Sequence, residues 1–424
     1  MAVTPNDTRL LLPSPVDLDD LLEPFARRGV DLGLERLRRA LAEGGHPERR
    51  FAAVQVAGTN GKGSICTFLH AILRAAGVHC GTYRSPHLVS WCERIQIDDA
   101  WIHADTLRAD LARWQAIGRR HGLTPFELLT AAAFDRFAAD AVELAVLEVG
   151  LGGRLDATTT HPGRSVVGFA SIGLDHREHL GDTLAAIAFE KAGVLEPDTL
   201  AFSAPQEPEA SEVLAAEARR RGADLRWVEP LPPAELGGPE LGLPGELQRG
   251  NAAVAVAMAQ ALARAGWPLG SAAIRAGLAA ARWPGRLELR SWAGRPLLLD
   301  GAHNPPAAAA LRRELDAMDP AGDHAVPRRW LIGIQRHKEA AVMLEHLLQP
   351  GDRVAIVPVP GHASWNATAL AEALAGRGAD LHAVATPEEG LAWLAEDASL
   401  AAPVPVVTGS LFLLGAVLPL LAAP

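Results

Sequence analysis

The chain has 424 residues, close to three times the ~150-residue unit of a single domain, so two domains are expected. Apolar residues at 49% and charged residues at 21% exclude global disorder. A net charge of −10, from 40 Lys and Arg against 50 Asp and Glu, argues against broad nucleic-acid or anionic-membrane binding. Cys66, Cys80 and Cys92 form no CxxC pair, which argues against a disulfide framework and for reduced thiols in the cytoplasm.

Residues 1–20 mix acids and prolines without a clean apolar run, so no signal peptide is expected. AAVQVAGTN (52–60) reads as a strand entering a turn, and LHAILRAAG (69–77) as a helix stopped by glycine. LLTAAAFDRFAA (128–139) has helical spacing. ELAVLEVG (143–150) and SVVGFASIGLD (165–175) read as buried strands. This alternation predicts a mostly parallel sheet flanked by helices. The Pro- and Gly-rich stretch 229–247 reads as an irregular excursion. After RWPGRLELRSWAGRP (282–296) the alternation restarts with PLLLDGAHNP, RRWLIGIQ, DRVAIVPVP, ADLHAVATP and VPVVTGS. The expected fold class is therefore α/β: a P-loop domain over 1–290 and a smaller, Rossmann-like C-terminal α/β domain over 291–424. The run from Ala398 onward is uncharged, but Pro403, Pro405, Gly409, Ser410 and Pro419 break it. A buried strand, turn and helix is expected there, not a membrane span.

The sharpest local signal is VQVAGTNGKGS (54–64), which places Gly58, Thr59, Asn60, Gly61, Lys62, Gly63 and Ser64 between a strand and a helix. Glycines let backbone N–H groups turn inward around an oxyanion. The helix N-terminus adds its dipole, and Lys62 brings a mobile positive charge. A triphosphate suits that chemistry. The spacing is not G-x-x-x-x-G-K-[ST], because Gly63 separates Lys62 from Ser64, and a ligand-free tight turn is the competing reading. Glu148 ends a buried apolar strand, where ligands bind in doubly wound sheets, and a carboxylate buried there needs a cation partner.

AGTNGKGS resembles the nucleotide loop of the Mur-ligase superfamily. The rest resembles its folate branch, the folylpolyglutamate synthase/dihydrofolate synthase family. VDLGLERL (30–37), YRSPHL (83–88) with ERIQI (93–97), LEVGLGGRLDATT (147–159), SIGLDHREHLG (171–181), FEKAGV (189–194), WPGRLE (283–288) and LDGAHNP (299–305) follow in the family's order. IQRHKEA (334–340) and VVTGSLF (406–412) match more loosely. The resemblance implies ATP-dependent amide formation. A pteroate or folate carboxylate takes the γ-phosphoryl group, and the α-amine of glutamate then displaces phosphate. Phosphorylation turns a poor electrophile into a good one, and phosphoryl transfer needs positioning and charge neutralisation more than covalent help. Implied substrates are dihydropteroate, folates, L-glutamate and ATP, with Mg2+ at two sites. A cytoplasmic monomer without nucleic-acid or membrane partners is expected.

By the same resemblance, Lys62, Lys191 and His303 are catalytic. Gly58 to Ser64, Asn251, Arg286 and Asp300 contact ATP, Arg286 at the expected domain junction. Ser85, Glu148 and His176 are metal ligands, joined by Lys191 if it is carbamylated. Val30, Asp31 and Leu32, then Thr124, Pro125, Phe126 and Glu127, then Leu155, Asp156 and Ala157 hold the pterin. A flat pterin needs a wall and a carboxylate for its donor edge, roles suited to Phe126 and Asp156.

Each residue also has a plainer reading. Glu148 could be a salt-bridged strand end, and His176 a surface histidine, since magnesium prefers oxygen. Lys191 could be an exposed helix lysine paired with Glu190 or Glu196. Asn251 could be a helix N-cap, Asp300 a turn aspartate, and Phe126 core packing. Three positions depart from the family pattern: Arg84 (usually Ser or Thr), Pro125 (a tyrosine-like residue) and Thr159 (Asn). The GGRLDA form resembles bifunctional enzymes that accept dihydropteroate as well as folates. A peptidoglycan-precursor ligase would carry a UDP-binding domain of ~100 residues ahead of the loop, which finds no room before Gly58. A P-loop regulatory ATPase is the alternative from another class, and a guanine-reading N/T-K-x-D signature is missing. A dead homologue is disfavoured, because Lys62, Glu148 and Asp300 are all retained.

Overall fold

The computed structural model describes residues 12–26, 29–318, 327–373, 379–396 and 403–422. Most of the segment read as lacking a signal peptide, residues 1–11, lies outside the described residues, as does 398–402 at the start of the uncharged C-terminal run. The chain divides into two compact units. One is Leu12–Gly242 with Gln248–Arg282; the other is Leu243–Leu247 with the described residues from Trp283 onward.

The first unit is built on strands β1 (Ala52–Ala57), β2 (Cys80–Tyr83), β3 (Ile95–Ile97), β4 (Ala100–Trp101), β5 (Leu144–Glu148), β6 (Arg164–Phe169), β7 (Leu200–Ser203) and β8 (Asp224–Trp227). They form one sheet in the order β4-β3-β2-β5-β1-β6-β7-β8. All neighbours from β2 to β8 in that order are parallel, and β3 and β4 are antiparallel additions. The apolar runs read as buried strands are β1, β5 and β6, side by side at the centre. All five residues of β5 are buried, the expected pattern when helices cover both faces.

The connections set the site. From β1 the chain enters the helix Lys62–Ala75 and returns to β2, on the far side of β5; from β5 it crosses to β6, on the opposite side of β1. The ends of β1 and β5 are thus a topological switch point, where neighbouring connections diverge and leave a crevice. One core cluster gathers Leu37, Trp114, Phe134, Phe137 and Leu147, and a second gathers Phe169, Ile187, Val194 and Leu214. They hold that crevice on a rigid frame.

The second unit contains β9 (Glu288–Trp292), β10 (Arg295–Leu299), β11 (Arg329–Ile332), β12 (Arg353–Ile356), β13 (Asp380–Ala383) and β14 (Val406–Thr408). The sheet order is β13-β12-β11-β14-β10-β9. The five strands expected after residue 296 are all present and run parallel to one another. LDGAHNP does not follow the first strand of this sheet, because β9 precedes β10 and pairs with it antiparallel. ELRSW has no clean apolar alternation, and it becomes a strand through a tight turn. Ala293 and Gly294 both take positive φ (49° and 76°), the geometry that matches strand twist in a two-residue hairpin. The C-terminal run forms β14, a turn at Gly409 and the helix Leu411–Ala422, as expected. Among the described residues no helix is long and apolar enough to cross a membrane.

Candidate active site

The turn Gly58–Gly61 leaves β1 through two residues in the left-handed region, Gly58 (φ 139°) and Gly61 (φ 100°), which favours glycine at both. It is tied to the segment after β6. The Thr59 amide donates to the Ser171 carbonyl at 2.7 Å, the Thr59 hydroxyl donates to the Gly173 carbonyl at 3.0 Å, and the Ser171 hydroxyl donates to the Asn60 carbonyl at 3.1 Å. Lys62 folds back so that its Nζ donates to the Thr59 carbonyl at 3.1 Å. Ser64 is buried, and its hydroxyl is without a protein partner. A buried hydroxyl left unsatisfied in the first turn of this helix is a vacant oxygen donor, the chemistry Mg2+ prefers.

Asn251 is not a helix N-cap. It sits one turn inside the helix Leu247–Arg264, and its Nδ2 donates to Gln248 Oε1 at 2.9 Å. A Cβ placed on Gly61 would lie 2.4 Å from Asn251 Oδ1. The structure thus brings Asn251, which is 190 positions away in sequence, against the loop.

Lys191 resolves its alternatives clearly. It is not exposed, and neither acidic candidate is its partner: Glu190 pairs with Arg154 and Glu196 with Arg164, each at 2.8 Å. Lys191 lies 4% exposed on the helix Leu184–Ala192, and its Nζ donates to the Gly58 carbonyl at 2.7 Å. Burial disfavours the ammonium, and the nearby Lys62 charge adds to this, together lowering its pKa from 10.5 to about 7. Asp175 and Asp156 oppose the shift. A large fraction of free amine at neutral pH is the state that reacts with CO2.

Glu148 closes β5 in register with Val56 and is 5% exposed. The Ser85 amide donates to its Oε2 at 3.3 Å, so two of the expected metal residues are adjacent. Arg84, the residue after β2, is 2% exposed and donates to Gln96 Oε1 at 2.6 Å. Glu148 and Arg84 stabilise each other's charge in this buried setting, where burial itself lowers the Arg84 pKa. His176 is a partly exposed residue with positive φ (52°) ahead of the one-turn helix Arg177–Leu180. Its ring nitrogens lie 3.9 Å from Asp175 Oδ2 and Glu178 Oε1. Among the described residues no group of three or more His, Cys, Asp and Glu forms a metal-binding cluster. Glu148 offers one buried carboxylate and Ser64 a buried hydroxyl. That set fits Mg2+, a hard cation that keeps several of its waters and leans on substrate phosphates.

The three pterin segments converge in part. Thr124 and Glu127 cap the helix Pro125–Ala139 reciprocally: the Glu127 amide donates to Thr124 Oγ1 at 3.2 Å, and the Thr124 amide donates to Glu127 Oε2 at 2.8 Å. The half-buried Phe126 lies 6.0 Å, centroid to centroid, from Tyr83. A Cβ on Gly150 would stand 2.5 Å from the Phe126 ring, so the ring rests on the backbone that leads from Glu148 to Leu155. Asp156 is buried; its Oδ2 accepts from the Gly150 and Leu151 amides, both at 3.0 Å, and its Oδ1 from Thr158 N at 3.0 Å and Oγ1 at 2.5 Å. Burial raises the Asp156 pKa, and these hydrogen bonds oppose the rise. Ala157 is buried, whereas Pro125 and Leu155 are partly exposed. Leu32 is also partly exposed, and Val30 is 55% exposed.

In the second unit Asp300 follows β10. Its Oδ2 accepts from the Leu287 amide at 3.0 Å and its Oδ1 from the Ala302 amide at 2.9 Å, which is more than a turn aspartate requires. Crowding by protein raises its pKa, while the Arg286 charge lowers it. Arg286 packs over Gly301, where a Cβ would lie 2.3 Å from its Nη1. His303 Nδ1 is 2.8 Å from the Gly301 carbonyl oxygen, which assigns the proton to Nδ1. Arg286, Asp300 and His303 are thus neighbours around one glycine.

Two residues escaped the sequence reading. Arg36 ion-pairs with Glu127 at 2.7 Å and with Asp31 at 2.8 Å, and Gln55 Nε2 donates to Thr158 Oγ1 at 2.8 Å and Thr159 Oγ1 at 3.0 Å. Gln55 is a polar residue inside an otherwise apolar central strand, which was a usable signal. Arg36 offered none, since its partner Glu127 is 91 residues away.

Comparison with known proteins gives the family. Residues 287–420 match the family described as dihydrofolate synthetase, C-terminal domain. A probable dihydrofolate synthetase of Schizosaccharomyces pombe is 32% identical over 345 residues, covering 77% of this chain and 81% of that protein. A folylpolyglutamate synthase of Arabidopsis thaliana is 42% identical over 218 residues, covering 50% of this chain but only 35% of that protein. The crystal structure of a bifunctional folylpolyglutamate synthase/dihydrofolate synthase from Yersinia pestis, complexed with AMPPNP and Mn ion, superposes with a TM-score of 0.83 at 30% identity, covering 97% of this chain and 100% of that one. The chain belongs to the dihydrofolate synthase/folylpolyglutamate synthase family of two-domain α/β ligases.

Proposed function

We propose that this chain is an ATP-dependent ligase. It joins L-glutamate to dihydropteroate, giving dihydrofolate, and to tetrahydrofolate and its polyglutamates. The observation that carries this reading is the Gly58–Ser64 turn at the end of β1, with Lys62 and Lys191 on its carbonyls and the Ser64 hydroxyl unpartnered.

The turn cradles the triphosphate of ATP, with Gly58, Thr59, Asn60, Gly61 and Gly63 offering backbone and Lys62 swinging from the Thr59 carbonyl to the phosphates. Asn251, Arg286 and Asp300 complete the nucleotide contacts. The pterin lies against Phe126, held by the segments 30–32, 124–127 and 155–157. Its carboxylate oxygen takes the γ-phosphoryl group of ATP, releasing ADP and leaving an acyl phosphate. The glutamate amine, having lost a proton, attacks the acyl carbon; the amide bond forms and inorganic phosphate leaves. His303, whose Nδ1 lies 2.8 Å from the Gly301 carbonyl oxygen, assists at the acyl phosphate. Ser64, Ser85, Glu148 and His176 hold Mg2+ at two sites, and the metal supplies charge neutralisation on the phosphates. Lys191 joins them as a carbamate: its free amine adds to CO2, an N–C bond forms and one proton leaves, replacing a buried cation with oxygen donors. The first unit serves ATP and the pterin, and the unit from Trp283 onward, which carries Arg286, Asp300 and His303, serves ATP and the glutamate step. The chain acts as a monomer in the cytoplasm, in keeping with three buried free cysteines.

Release of ADP and phosphate is measured with ATP, Mg2+ and L-glutamate plus either dihydropteroate or tetrahydrofolate, and the product is identified by mass. Glutamylation of both acceptors is expected. Turnover with tetrahydrofolate alone removes the dihydrofolate synthase half, and turnover with neither overturns the reading.

A further inference from the structure

We propose that Arg36 is a positioning residue for the pterin substrate: its guanidinium latches the segment that begins at Val30 onto the helix that carries Phe126. This rests on the assignment of the pterin segments above and names the residue that makes two of them one surface.

The guanidinium is used on two edges. Its Nε donates to both Glu127 oxygens, at 2.9 and 2.7 Å. Its Nη1 donates to Asp31 Oδ2 at 2.8 Å, and its Nη2 reaches the Asp31 backbone carbonyl. The Arg36 and Glu127 side chains are 15% and 5% exposed, so their contact is largely removed from water and stronger than a surface pair. Asp31 is 41% exposed and contributes less.

The consequence falls on Phe126. Glu127 accepts from Arg36 and from the Thr124 amide, so its carboxylate is committed to the protein and leaves little capacity for a pterin donor edge. What the latch fixes is the first turn of the helix Pro125–Ala139, hence the ring of Phe126 against Gly150. With Arg36 removed, Glu127 becomes a buried carboxylate without its cation, and the two bonds from the guanidinium to Asp31 are lost. The wall for the flat ring then loosens, while the Gly58–Ser64 turn, held by Ser171, Gly173 and Lys191, shares none of these contacts. Arginine is required because a lysine ammonium cannot serve two carboxylates through separate edges of one plane.

The test compares wild type, Arg36→Gln, Arg36→Lys and Arg36→Gln/Glu127→Gln, with KM measured for dihydropteroate, tetrahydrofolate and ATP and equilibrium binding for dihydropteroate alone. Arg36→Gln should raise KM for both pterin substrates about tenfold, equivalent to about 1.4 kcal/mol, with ATP KM and kcat within about twofold. Arg36→Lys should recover part of the loss. The double variant should bind dihydropteroate no more weakly than Arg36→Gln, because the orphaned carboxylate is gone. Wild-type dihydropteroate affinity in Arg36→Gln overturns the proposal, and so does an equal rise in the ATP and pterin KM values, which marks general loosening. If the wild-type protein binds neither dihydropteroate nor tetrahydrofolate, the pterin assignment itself falls, a result distinct from either of those.

Discussion

Lys191 donates from Nζ to the carbonyl oxygen of Gly58 at 2.7 Å, joining residues 133 apart. The bond ties the helix Leu184–Ala192 to the first residue after β1, and it places a second lysine beside the phosphate turn already served by Lys62. Burial disfavours the Lys191 ammonium and the Lys62 charge adds to this, so its pKa falls to about 7.

The pH dependence of stability follows from this. With a pKa near 7 in the fold and 10.5 in the unfolded chain, unmodified Lys191 binds fewer protons folded than unfolded between those values. Stability should therefore rise with pH from about 7 to about 10.5. Thermal unfolding of protein prepared without CO2 checks it, and Lys191→Met should flatten that part of the profile. Full carbamylation should also flatten it, with a mass increment of one CO2 on the intact protein.

Lys62→Ala should lower kcat by at least about a hundredfold, the scale of losing one charged group that acts on the transition state. Far-UV circular dichroism should be unchanged, since the ammonium donates to the Thr59 carbonyl within its own turn and bridges no distant elements among the described residues. Near-normal turnover would remove the loop from the mechanism.

Gly61→Ala meets two obstacles at once: φ of 100° and Asn251 Oδ1 at 2.4 Å from the new Cβ. A destabilisation of about 1–3 kcal/mol is expected, along with loss of ATP-analogue binding. Adding Asn251→Ala should return some stability by relieving the clash but no nucleotide affinity, since Asn251 is itself assigned to ATP. Calorimetric titration with AMPPNP separates the two effects.

Glu148→Gln keeps shape and removes charge. Mn2+ affinity, followed by paramagnetic relaxation of water, should fall at least about tenfold. The variant should fold, because the buried Arg84 still has Gln96 as acceptor. Unchanged Mn2+ affinity would exclude Glu148 as a ligand.

Gln55→Leu removes the two hydrogen bonds that fasten Thr158 and Thr159 to β1. Leaving those buried hydroxyls short of a donor should cost about 1–3 kcal/mol in urea unfolding. Because Thr158 also donates to Asp156, dihydropteroate KM should rise more than ATP KM.

The sequence by itself determined the elements that depend on near neighbours. Central strands β1, β5 and β6 were visible as apolar runs, and the phosphate turn as glycines between a strand and a helix. The Thr124–Glu127 capping pair also lies within one helical turn. The parallel sheet follows from the alternation of strands and helices, since each helix carries the chain back across the sheet to start the next strand in the same direction. What only the tertiary structure decided lies in pairings across long separations and in burial. Arg36 finds Glu127 from 91 positions away, and Asn251 is carried against Gly61 by helix packing. Lys191 reads as an ordinary helix lysine until the fold surrounds it and takes away its water. β9 exists because a turn with two left-handed residues folds a mixed sequence back onto β10. Periodicity and turn chemistry act over a few residues, whereas the charge state and partner of a side chain are set by whatever the rest of the chain packs around it.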